Sequence, residues 1–241
     1  MKEVLFTKIV VLTGAGVSAE SGIPTFRDAD GLWQGYRVEE VATAEAVLHH
    51  RPFVNEFFNK RRRDVEAPEP NAAHLALAKL EQCYGDDFLL VTQNIDPLHE
   101  KAGSKNLIHM HGELQRIYCD SCGQSSSFFD DATKETACPL CGKSGGLRPD
   151  VVLFGEMPRQ MDAIIDALND CDLFVAIGTS GAVYPAAGFV DIANHAGALT
   201  LEVNATETER SPAFRERQTG KAGVIVPRLV DFCIERKSVC A

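Results

Sequence analysis

A short apolar run that ends in a glycine-rich turn constrains the fold of this chain more than any other feature of its sequence. Residues 9–12 are Ile-Val-Val-Leu, and residues 14–16 are Gly-Ala-Gly. An uninterrupted, mostly β-branched run is typical of a parallel strand that is buried on both faces, and glycines allow a tight turn after it. We therefore expect a buried first strand, followed by a helix that begins near Ser18.

Similar apolar runs recur along the chain and alternate with helical patterns. Residues 70–84 and 160–168 carry apolar side chains at helical spacing. Alternating strands and helices predict an α/β fold with a doubly wound, parallel, Rossmann-like sheet. The further predicted strands are residues 88–91, 173–177, 199–203 and 224–226.

Two segments interrupt this alternation. Residues 32–69 include Trp33 and three consecutive arginines, and we interpret them as a helical insertion. Residues 119–146 are polar, bracketed by cysteine pairs and too short for a core of their own, which predicts a small zinc-binding module. We expect one domain over residues 1–241. Its Rossmann-like core is predicted at about residues 8–31, 70–118 and 148–230.

Charge and apolar content limit the possible partners and location. Acidic residues outnumber basic ones 34 to 24, which gives a net charge of −10. Direct nucleic-acid binding is therefore not expected, whereas basic protein segments suit an acidic surface. No apolar run approaches the roughly 18 residues that span a membrane. We expect a cytoplasmic monomer that does not bind membranes.

Four of the eight cysteines form two close pairs, Cys119 with Cys122 and Cys138 with Cys141. The spacing C-x2-C-x15-C-x2-C is a strong zinc pattern, because each pair places two thiolates on one tetrahedral ion. Free buried cysteines or a redox dithiol are weaker alternatives, since a dithiol needs only one pair. Four protein ligands leave no position for substrate, so we expect one structural Zn²⁺.

The glycine turn also predicts a nucleotide site. Residues 14–19 satisfy G-x-G-x-x-A, a variant of the dinucleotide-binding pattern. In that pattern Gly14 allows the turn, Gly16 lets the backbone approach a pyrophosphate, and a helix N-terminus offers N–H groups to the anion. The alternative is a glycine turn without a ligand. A dehydrogenase would need an acidic residue after a second strand, and no clear strand precedes Glu39.

Longer motifs carry a resemblance to a known family. Residues 14–33 read GAGVSAESGIPTFRDADGLW, which closely resembles the signature of the sirtuin family. Residues 93–96 (Gln-Asn-Ile-Asp) resemble the second family motif, and His111 with Gly112 resembles the catalytic histidine motif. Residues 178–180 resemble a further nucleotide loop, with Asn204 after a later strand, and the cysteine pairs lie where sirtuin zinc ligands lie. The resemblance spans about residues 9–230.

This resemblance implies an NAD-dependent protein-lysine deacylase that acts on acyl-lysine proteins or peptides. In sirtuins the acyl oxygen attacks the ribose carbon that bears nicotinamide, so NAD is consumed and O-acyl-ADP-ribose is released. A base must then activate a ribose hydroxyl, and an imidazole suits that proton transfer. By resemblance the base is His111. The chemistry alone would allow any of the seven histidines, and only the motif favours His111 over His109.

The resemblance also assigns residues to the cofactor. Asn94 and Asp96 are predicted to hold the nicotinamide end near the reacting ribose, and Gln93 to touch the ribose. Alternatively, Asp96 caps a helix, and both roles can coexist. Phe26 is expected to shield the reactive carbon and Arg27 to meet phosphate. The predicted cofactor residues are Gly14, Ala15, Gly16, Glu20, Thr25, Phe26, Arg27, Trp33, Gln93, Asn94, Ile95, Asp96, Gly178, Thr179, Ser180, Asn204 and Ala222.

Two further segments are predicted to bind substrate. In class III sirtuins of the bacterial type, a Tyr and an Arg three residues later recognise acidic acyl groups, and here these positions are Phe58 and Arg61. Arg61 can still bind a carboxylate, so we predict weakened desuccinylation or demalonylation beside deacetylation. The alternative is that Arg61 lies on a solvated basic helix face. Residues 151–156 resemble the strand that pairs with substrate peptide, through Val152, Phe154, Gly155 and Glu156.

Two other classes of function remain open from the sequence. An ADP-ribosyltransferase would transfer the same ribose carbon to a protein nucleophile. A non-catalytic NAD-sensing module would bind the nucleotide without releasing nicotinamide.

Overall fold

A six-stranded parallel sheet forms the centre of the computed structural model. The structure describes residues 6–25, 33 and 35–239, and it describes residues 238 and 239 in backbone only. The strands of the chain are β1 (Ile9–Thr13), β2 (Phe88–Thr92), β3 (Leu107–His109), β4 (Gly112–Cys119), β5 (Gln124–Ser127), β6 (Leu147–Val151), β7 (Leu173–Ile177), β8 (Leu199–Asn204) and β9 (Glu216–Thr219). The large sheet has the order β3-β2-β1-β7-β8-β9, and every neighbouring pair is parallel.

Helices cover both faces of this sheet. They are α1 (Val38–Val41), α2 (Ala44–Asp64), α3 (Ala72–Tyr84), α4 (Leu98–Lys101), α5 (Met161–Asp170), α6 (Phe189–Ala196) and α7 (Ala222–Val239). Alternate residues of β1 point to opposite faces. Ile9 and Val11 pack in the cluster that includes α3 and α7, whereas Val10 and Leu12 pack in the cluster that includes α5 and α6. The predicted doubly wound α/β sheet is confirmed.

Two predicted elements near the ends of the chain are wrong. No regular helix begins near Ser18, where the chain forms two 3₁₀ turns, Ala15–Val17 and Ala19–Ser21. Gly22 and Pro24 follow these turns, and proline cannot donate the backbone hydrogen bond that a longer helix needs. The apolar run 224–226 is not a strand but part of α7.

The burial pattern of α7 explains the second error. Ala222, Val226, Val230 and Cys233 are buried, at spacings of four, four and three residues. That spacing places them on one face of a helix, which packs on the sheet. A run of three apolar residues does not distinguish a strand from a buried helical turn.

The insertion after β1 is helical, as its composition indicates. It contains α1 and α2, and α2 is kinked at His50, which has non-helical dihedral angles two residues before Pro52. Proline inside a helix removes one hydrogen bond and clashes with a preceding carbonyl, which explains the kink. Beyond it, Val54, Phe57 and Phe58 are buried in one cluster with Trp33 and with Leu114 of β4.

The smaller sheet is antiparallel, in the order β5-β4-β6, and joins the module that contains the cysteine pairs. Arg62 connects this module to α2. Its side chain is 1% exposed, and it donates from Nε to Leu114 O at 2.8 Å and from Nη1 to Asp130 O at 2.9 Å. The division of the chain into core, insertion and module stays a prediction.

Candidate active site

The predicted nucleotide residues lie at the carboxyl edge of the parallel sheet. Residues 14–18 follow β1, residues 93–96 follow β2, and residues 178–180 follow β7. From β1, one set of strands continues toward β3 and the other, through β7, toward β9. Ligands of open α/β sheets bind at such a point, where the strand order reverses.

Close backbone contact joins the first and third of these loops. Gly16 N donates to Gly178 O at 2.8 Å, and a Cβ at residue 16 would lie 2.7 Å from Gly178 Cα. The glycines are therefore required by contact between the two loops. The expected helix N-terminus for a pyrophosphate is not formed, because residues 15–17 are a 3₁₀ turn whose Val17 N donates to Gly14 O.

A buried polar cluster follows β2. Asn94 Nδ2 donates to Gly14 O at 3.2 Å and to Ser18 Oγ at 3.1 Å, and Ser18 Oγ donates to Asp96 Oδ2 at 3.0 Å. Asp96 Oδ1 also accepts from Leu98 N at 3.1 Å, at the first residue of α4, although the N-cap residue of that helix is Pro97. Burial raises the pKa of Asp96, although these hydrogen bonds oppose the shift.

Two buried histidines lie behind this cluster. His74 Nδ1 accepts from Asn71 N, so its proton is on Nε2, which lies 3.4 Å from Ser18 Oγ. His99 Nε2 lies 2.9 Å from Thr13 Oγ1, and the two imidazole rings are 4.8 Å apart. Burial lowers the pKa of His74 to about 4 and that of His99 well below its ordinary value. Both rings are therefore neutral at physiological pH.

His111 has the geometry of a general base. Its Nδ1 lies 3.1 Å from Gln93 O, and because a carbonyl only accepts, Nδ1 carries the proton. Nε2 is then the basic nitrogen. Burial lowers the pKa of His111, although the bond to Gln93 opposes this, so the neutral form prevails near pH 7. Gly112 has φ +80°, and a Cβ there would lie 2.2 Å from Asp150 O, so no other residue fits beside His111.

His109 is bound differently. Its Nδ1 lies 3.1 Å from Asn94 O and its Nε2 lies 2.6 Å from Glu100 Oε1. Both partners only accept, so both ring nitrogens carry protons. Burial lowers the pKa of His109, but the hydrogen bond and charge of Glu100 outweigh it and the net shift is upward. His109 is thus engaged at both nitrogens, and the geometry favours His111 as the base.

Side-chain hydrogen bonds connect the loops that follow β2, β7 and β8. Gln93 Nε2 donates to Thr179 Oγ1 at 2.9 Å, and Asn204 Nδ2 donates to Thr179 O at 2.7 Å. Ser180 is exposed beside them. Ile95 is half-buried, and its carbonyl accepts from Leu114 N at 2.9 Å. The motif residues after β2, β7 and β8 therefore form one connected edge.

The predicted residues of the first loop are only partly brought to this edge. Glu20 Oε1 accepts from Gly223 N at 2.9 Å, next to Ala222 at the start of α7. Thr25 is exposed, and Trp33 is buried against α2. The predicted roles of Phe26 and Arg27 lie outside the described residues.

Arg61 is buried rather than solvated. It is 4% exposed, Nη1 donates to Phe57 O at 2.7 Å, and its guanidinium carbon lies 3.3 Å from the centre of the Phe57 ring. Burial lowers its pKa to about 10, so the side chain remains a cation at neutral pH. The alternative of a solvated basic helix face is wrong for Arg61 and Arg62, and it holds for Lys60 and Arg63, which are exposed.

The predicted peptide-binding segment leaves β6 in an extended path. Val152 N donates to His111 O at 2.8 Å, and Phe154 N donates to Ala42 O at 2.9 Å. Phe154 is 42% exposed, and Gly155 is exposed beside it. Glu156 is engaged within the chain, since Oε2 accepts from Leu153 N at 2.9 Å and Oε1 lies 3.1 Å from Arg148 Nη2.

Residues 14–185 match the Sir2 family. An NAD-dependent protein deacylase of Bdellovibrio bacteriovorus is 52% identical over 233 residues, which cover 96% of this chain and 98% of the relative. A Sir2 homologue mutant in complex with ADP-ribose has a TM-score of 0.87 and 39% identity, with 98% of this chain and 94% of that chain covered. A Sir2 homologue in complex with NAD has a TM-score of 0.86 and 39% identity, with 98% and 91% covered.

This chain belongs to the Sir2 family. The family match and the high coverage of these relatives account for the motifs that resembled sirtuins, and the predicted fold and family are both confirmed.

The four-cysteine cluster of this Sir2 chain fits zinc. The Sγ atoms of Cys119, Cys122, Cys138 and Cys141 all lie within 4.8 Å of one another. Cys119 and Cys141 are 3.9 Å apart, as are Cys122 and Cys138. Tetrahedral zinc with Zn–S bonds of about 2.3 Å requires S–S separations of about 3.8 Å. Four thiolates fill the coordination sphere, so the ion would support folding rather than chemistry.

The sequence motifs did not identify the buried polar residues that lie behind the predicted site residues of this Sir2 chain. Thr13, Ser18, His74 and His99 are all buried. Ser18 donates to the predicted Asp96, His74 lies within hydrogen-bond distance of Ser18, and His99 of Thr13. One available signal was the polar His74 among the apolar residues of α3. Among the described residues, no helix is long and apolar enough to cross a membrane.

Proposed function

We propose that this chain is an NAD-dependent protein-lysine deacylase that transfers acyl groups to ADP-ribose and acts on both neutral and acidic acyl-lysines. Membership of the Sir2 family and the 52% identity to a protein deacylase support the general activity. The observation that carries the proposal is the orientation of His111. Its Nδ1–H is held by Gln93 O, so Nε2 is directed as a base at the polar edge of the sheet.

The residues at this edge suit NAD. The crevice at the strand-order reversal, the paired glycine loops and the polar side chains of Gln93, Asn94 and Asp96 provide donors and acceptors for a dinucleotide. Bound NAD supplies the ribose that accepts the acyl group and the nicotinamide that leaves. His111 Nε2 accepts a proton from a ribose hydroxyl, and the neutral imidazole is already in the form that can do so. Asn94 and Asp96 present an amide and a carboxyl group at the same edge of the sheet.

The buried Arg61 supports action on acidic acyl groups. A guanidinium in an aromatic pocket is able to bind a carboxylate through two charge-assisted hydrogen bonds. The substrate classes are therefore acetyl-lysine and, with Arg61, succinyl- or malonyl-lysine. Because Phe58 has no hydroxyl, the preference for acidic groups is expected to be weaker than with the family's tyrosine.

The test is incubation of the purified protein with NAD and paired acetyl- and succinyl-lysine peptides of one sequence. Mass spectrometry would follow nicotinamide, the deacylated peptide and O-acyl-ADP-ribose. His111→Ala should abolish the deacylated peptide and O-acyl-ADP-ribose and limit nicotinamide release to a single turnover, because the base acts after nicotinamide leaves. The exposed His195→Ala is the matched control and should retain all three products, since His195 lies at the end of α6, outside the site.

The alternative functions predict other products. An ADP-ribosyltransferase would leave ADP-ribose covalently bound to peptide, and an NAD sensor would bind NAD without nicotinamide release. Either result, with no deacylated peptide, would refute the deacylase proposal.

Cysteine usage supports the proposed location. The described cysteines form no disulfide, and four of them have zinc spacing, which is usual in a reducing compartment such as the cytoplasm. Cytoplasmic location and a monomeric state remain proposals.

A further inference from the structure

Tyr36 lies along the face of α2 that carries Arg61. Its ring centre is 5.7 Å from that of Phe53 and 5.3 Å from that of Phe57, and the guanidinium carbon of Arg61 is 5.8 Å from it. Phe53, Phe57 and Arg61 are four residues apart in turn, so they occupy one face of the helix. Tyr36 therefore covers this face over two helical turns.

The backbone holds Tyr36 in this place. Trp33 N donates to Tyr36 O at 2.9 Å, and Tyr36 N donates to Trp33 O at 3.1 Å. The Trp33 ring in turn packs edge-on against Phe57 and Phe58, at centre distances of 4.9 and 5.7 Å. Tyr36 is thus fixed to Trp33 by two backbone hydrogen bonds rather than lying loosely on the surface.

Burial differs along this face. Arg61 is 4% exposed, whereas Tyr36 is 39% exposed. The cation therefore lies at the buried end of this face and the tyrosine at its solvent-exposed end.

Phe58 adds no hydroxyl group to the set formed by Tyr36, Phe53, Phe57 and Arg61, here called the pocket. It is 1% exposed and packed against Trp33 and Phe57, so it contributes only apolar surface. A carboxylate bound by Arg61 has lone pairs beyond those that one guanidinium satisfies. In an aromatic pocket, those lone pairs need a further donor.

We infer that Tyr36 supplies this donor, and that its phenol and the Arg61 guanidinium together bind the terminal carboxylate of an acidic acyl-lysine. Tyr36 is then a specificity-determining residue for dicarboxylic acyl groups and has no role for acetyl-lysine. This inference rests on the proposed deacylase function and adds a second recognition residue to it.

Removal of one oxygen tests the inference. In Tyr36→Phe the ring packing on Phe53 and Phe57 is kept and only the hydroxyl is lost. The kcat/KM for succinyl-lysine peptide should fall about tenfold, as expected for a hydrogen bond to a charged group, and that for acetyl-lysine peptide should stay within about twofold. Tyr184→Phe, an exposed tyrosine outside the pocket, is the matched control and should change neither.

A double substitution tests whether Tyr36 acts with Arg61. In an Arg61→Met background, Tyr36→Phe should cost little more, because the two residues bind one carboxylate. Peptide affinity, measured by fluorescence anisotropy for both acyl forms, provides a readout that does not need turnover.

The outcomes separate this inference from the proposed function. Equal losses for both peptides, or no loss for the succinyl peptide while Arg61→Met abolishes its preference, would overturn the role of Tyr36 and leave the deacylase intact. If Arg61→Met leaves the succinyl preference unchanged, the acidic pocket and the role of Tyr36 both fall. If neither peptide is turned over, the deacylase proposal fails, and the Kd values then decide the role of Tyr36. A loss of affinity in Tyr36→Phe that is confined to the succinyl peptide supports the inference, and an unchanged affinity refutes it.

Discussion

Gly16→Ala should damage the nucleotide crevice through one added methyl group. The Cβ would lie 2.7 Å from Gly178 Cα and 2.8 Å from Gly178 O, both of them backbone atoms. Ordinary contacts between carbon atoms are about 3.5–4.0 Å, so the two loops must separate by roughly 0.8 Å or more. The Gly16 N to Gly178 O hydrogen bond, at 2.8 Å, cannot keep its length through that movement.

The cost follows from these two effects. Overpacking of this kind destabilises by about 1–3 kcal/mol, and a weakened backbone hydrogen bond adds about 0.5–1.5 kcal/mol. We expect a loss of about 2–4 kcal/mol in the free energy of unfolding. For a chain of this size that corresponds to a fall in Tm of about 5 to 15 °C. The KM for NAD should rise as well, because the moved loops border the crevice.

Thermal unfolding with zinc present, together with the KM for NAD, would measure both effects. Gly188→Ala is the matched control, since its Cβ would meet the Tyr184 ring at 3.7 Å, an ordinary contact. The reasoning is refuted if Gly16→Ala changes stability by less than about 0.5 kcal/mol with an unchanged KM, or if Gly188→Ala costs as much.

Three further predictions concern pH and metal. The acid limb of the kcat/KM profile should have an apparent pKa below 6.5, because burial lowers the pKa of His111; a limb above 6.5 would contradict this. The pKa of His74 is lowered to about 4, so between pH 6.5 and 4 the unfolded chain binds a proton that the folded chain does not, and stability falls on acidification. His74→Gln should therefore reduce the loss of unfolding free energy between pH 7 and 5, measured by urea titration, by about 2 kcal/mol; an unchanged loss would refute this. Zinc removal by chelator should raise the KM for peptide more than the KM for NAD. The reason is that Asp120, beside Cys119, contacts Arg148, and Arg148 in turn binds Glu156 of the predicted peptide segment. Equal changes in the two KM values would refute this coupling between the zinc module and the peptide segment.

The sequence predicted the parts of the fold that depend on local pattern. The strands at residues 9–13, 88–92 and 173–177 are apolar runs, two of which end in threonine, and burial on both faces of a parallel sheet requires such runs. The zinc cluster was equally predictable, because two C-x2-C turns bring four thiolates together whatever surrounds them.

Elements set by tertiary packing were not predictable in this way. The edge strand β9 (Glu216–Thr219) is polar and exposed, so its sequence carries no apolar alternation, and its place depends on pairing with β8. Residues 224–226 have high strand propensity, yet they are helical because α7 as a whole buries one face against the sheet. In both cases contacts distant in sequence outweigh local preference.

In the candidate site, too, the motifs located some residues, whereas others are placed only by contacts distant in sequence. The motifs located His111, Asn94 and Asp96 at one edge, since the ends of parallel strands meet there. They did not locate Ser18, His74 and His99 as a connected layer, because those contacts join residues 56 to 86 positions apart. Nor did they show that Arg61 is buried, since neighbouring arginines on a helix point in different directions.

Glu156 shows why a motif position is not yet a role. The resemblance assigned it to substrate, but both of its carboxylate oxygens are engaged, one by Leu153 N and the other by Arg148. Arg148 Nε also lies 3.8 Å from Asp120 Oδ1, in the first cysteine turn, and Asp120 bonds to Arg51 of α2. Glu156 therefore shapes the extended segment from within and links it to the zinc module. Any effect of Glu156 on peptide binding would act through the backbone of residues 152–154, which the peptide is expected to meet.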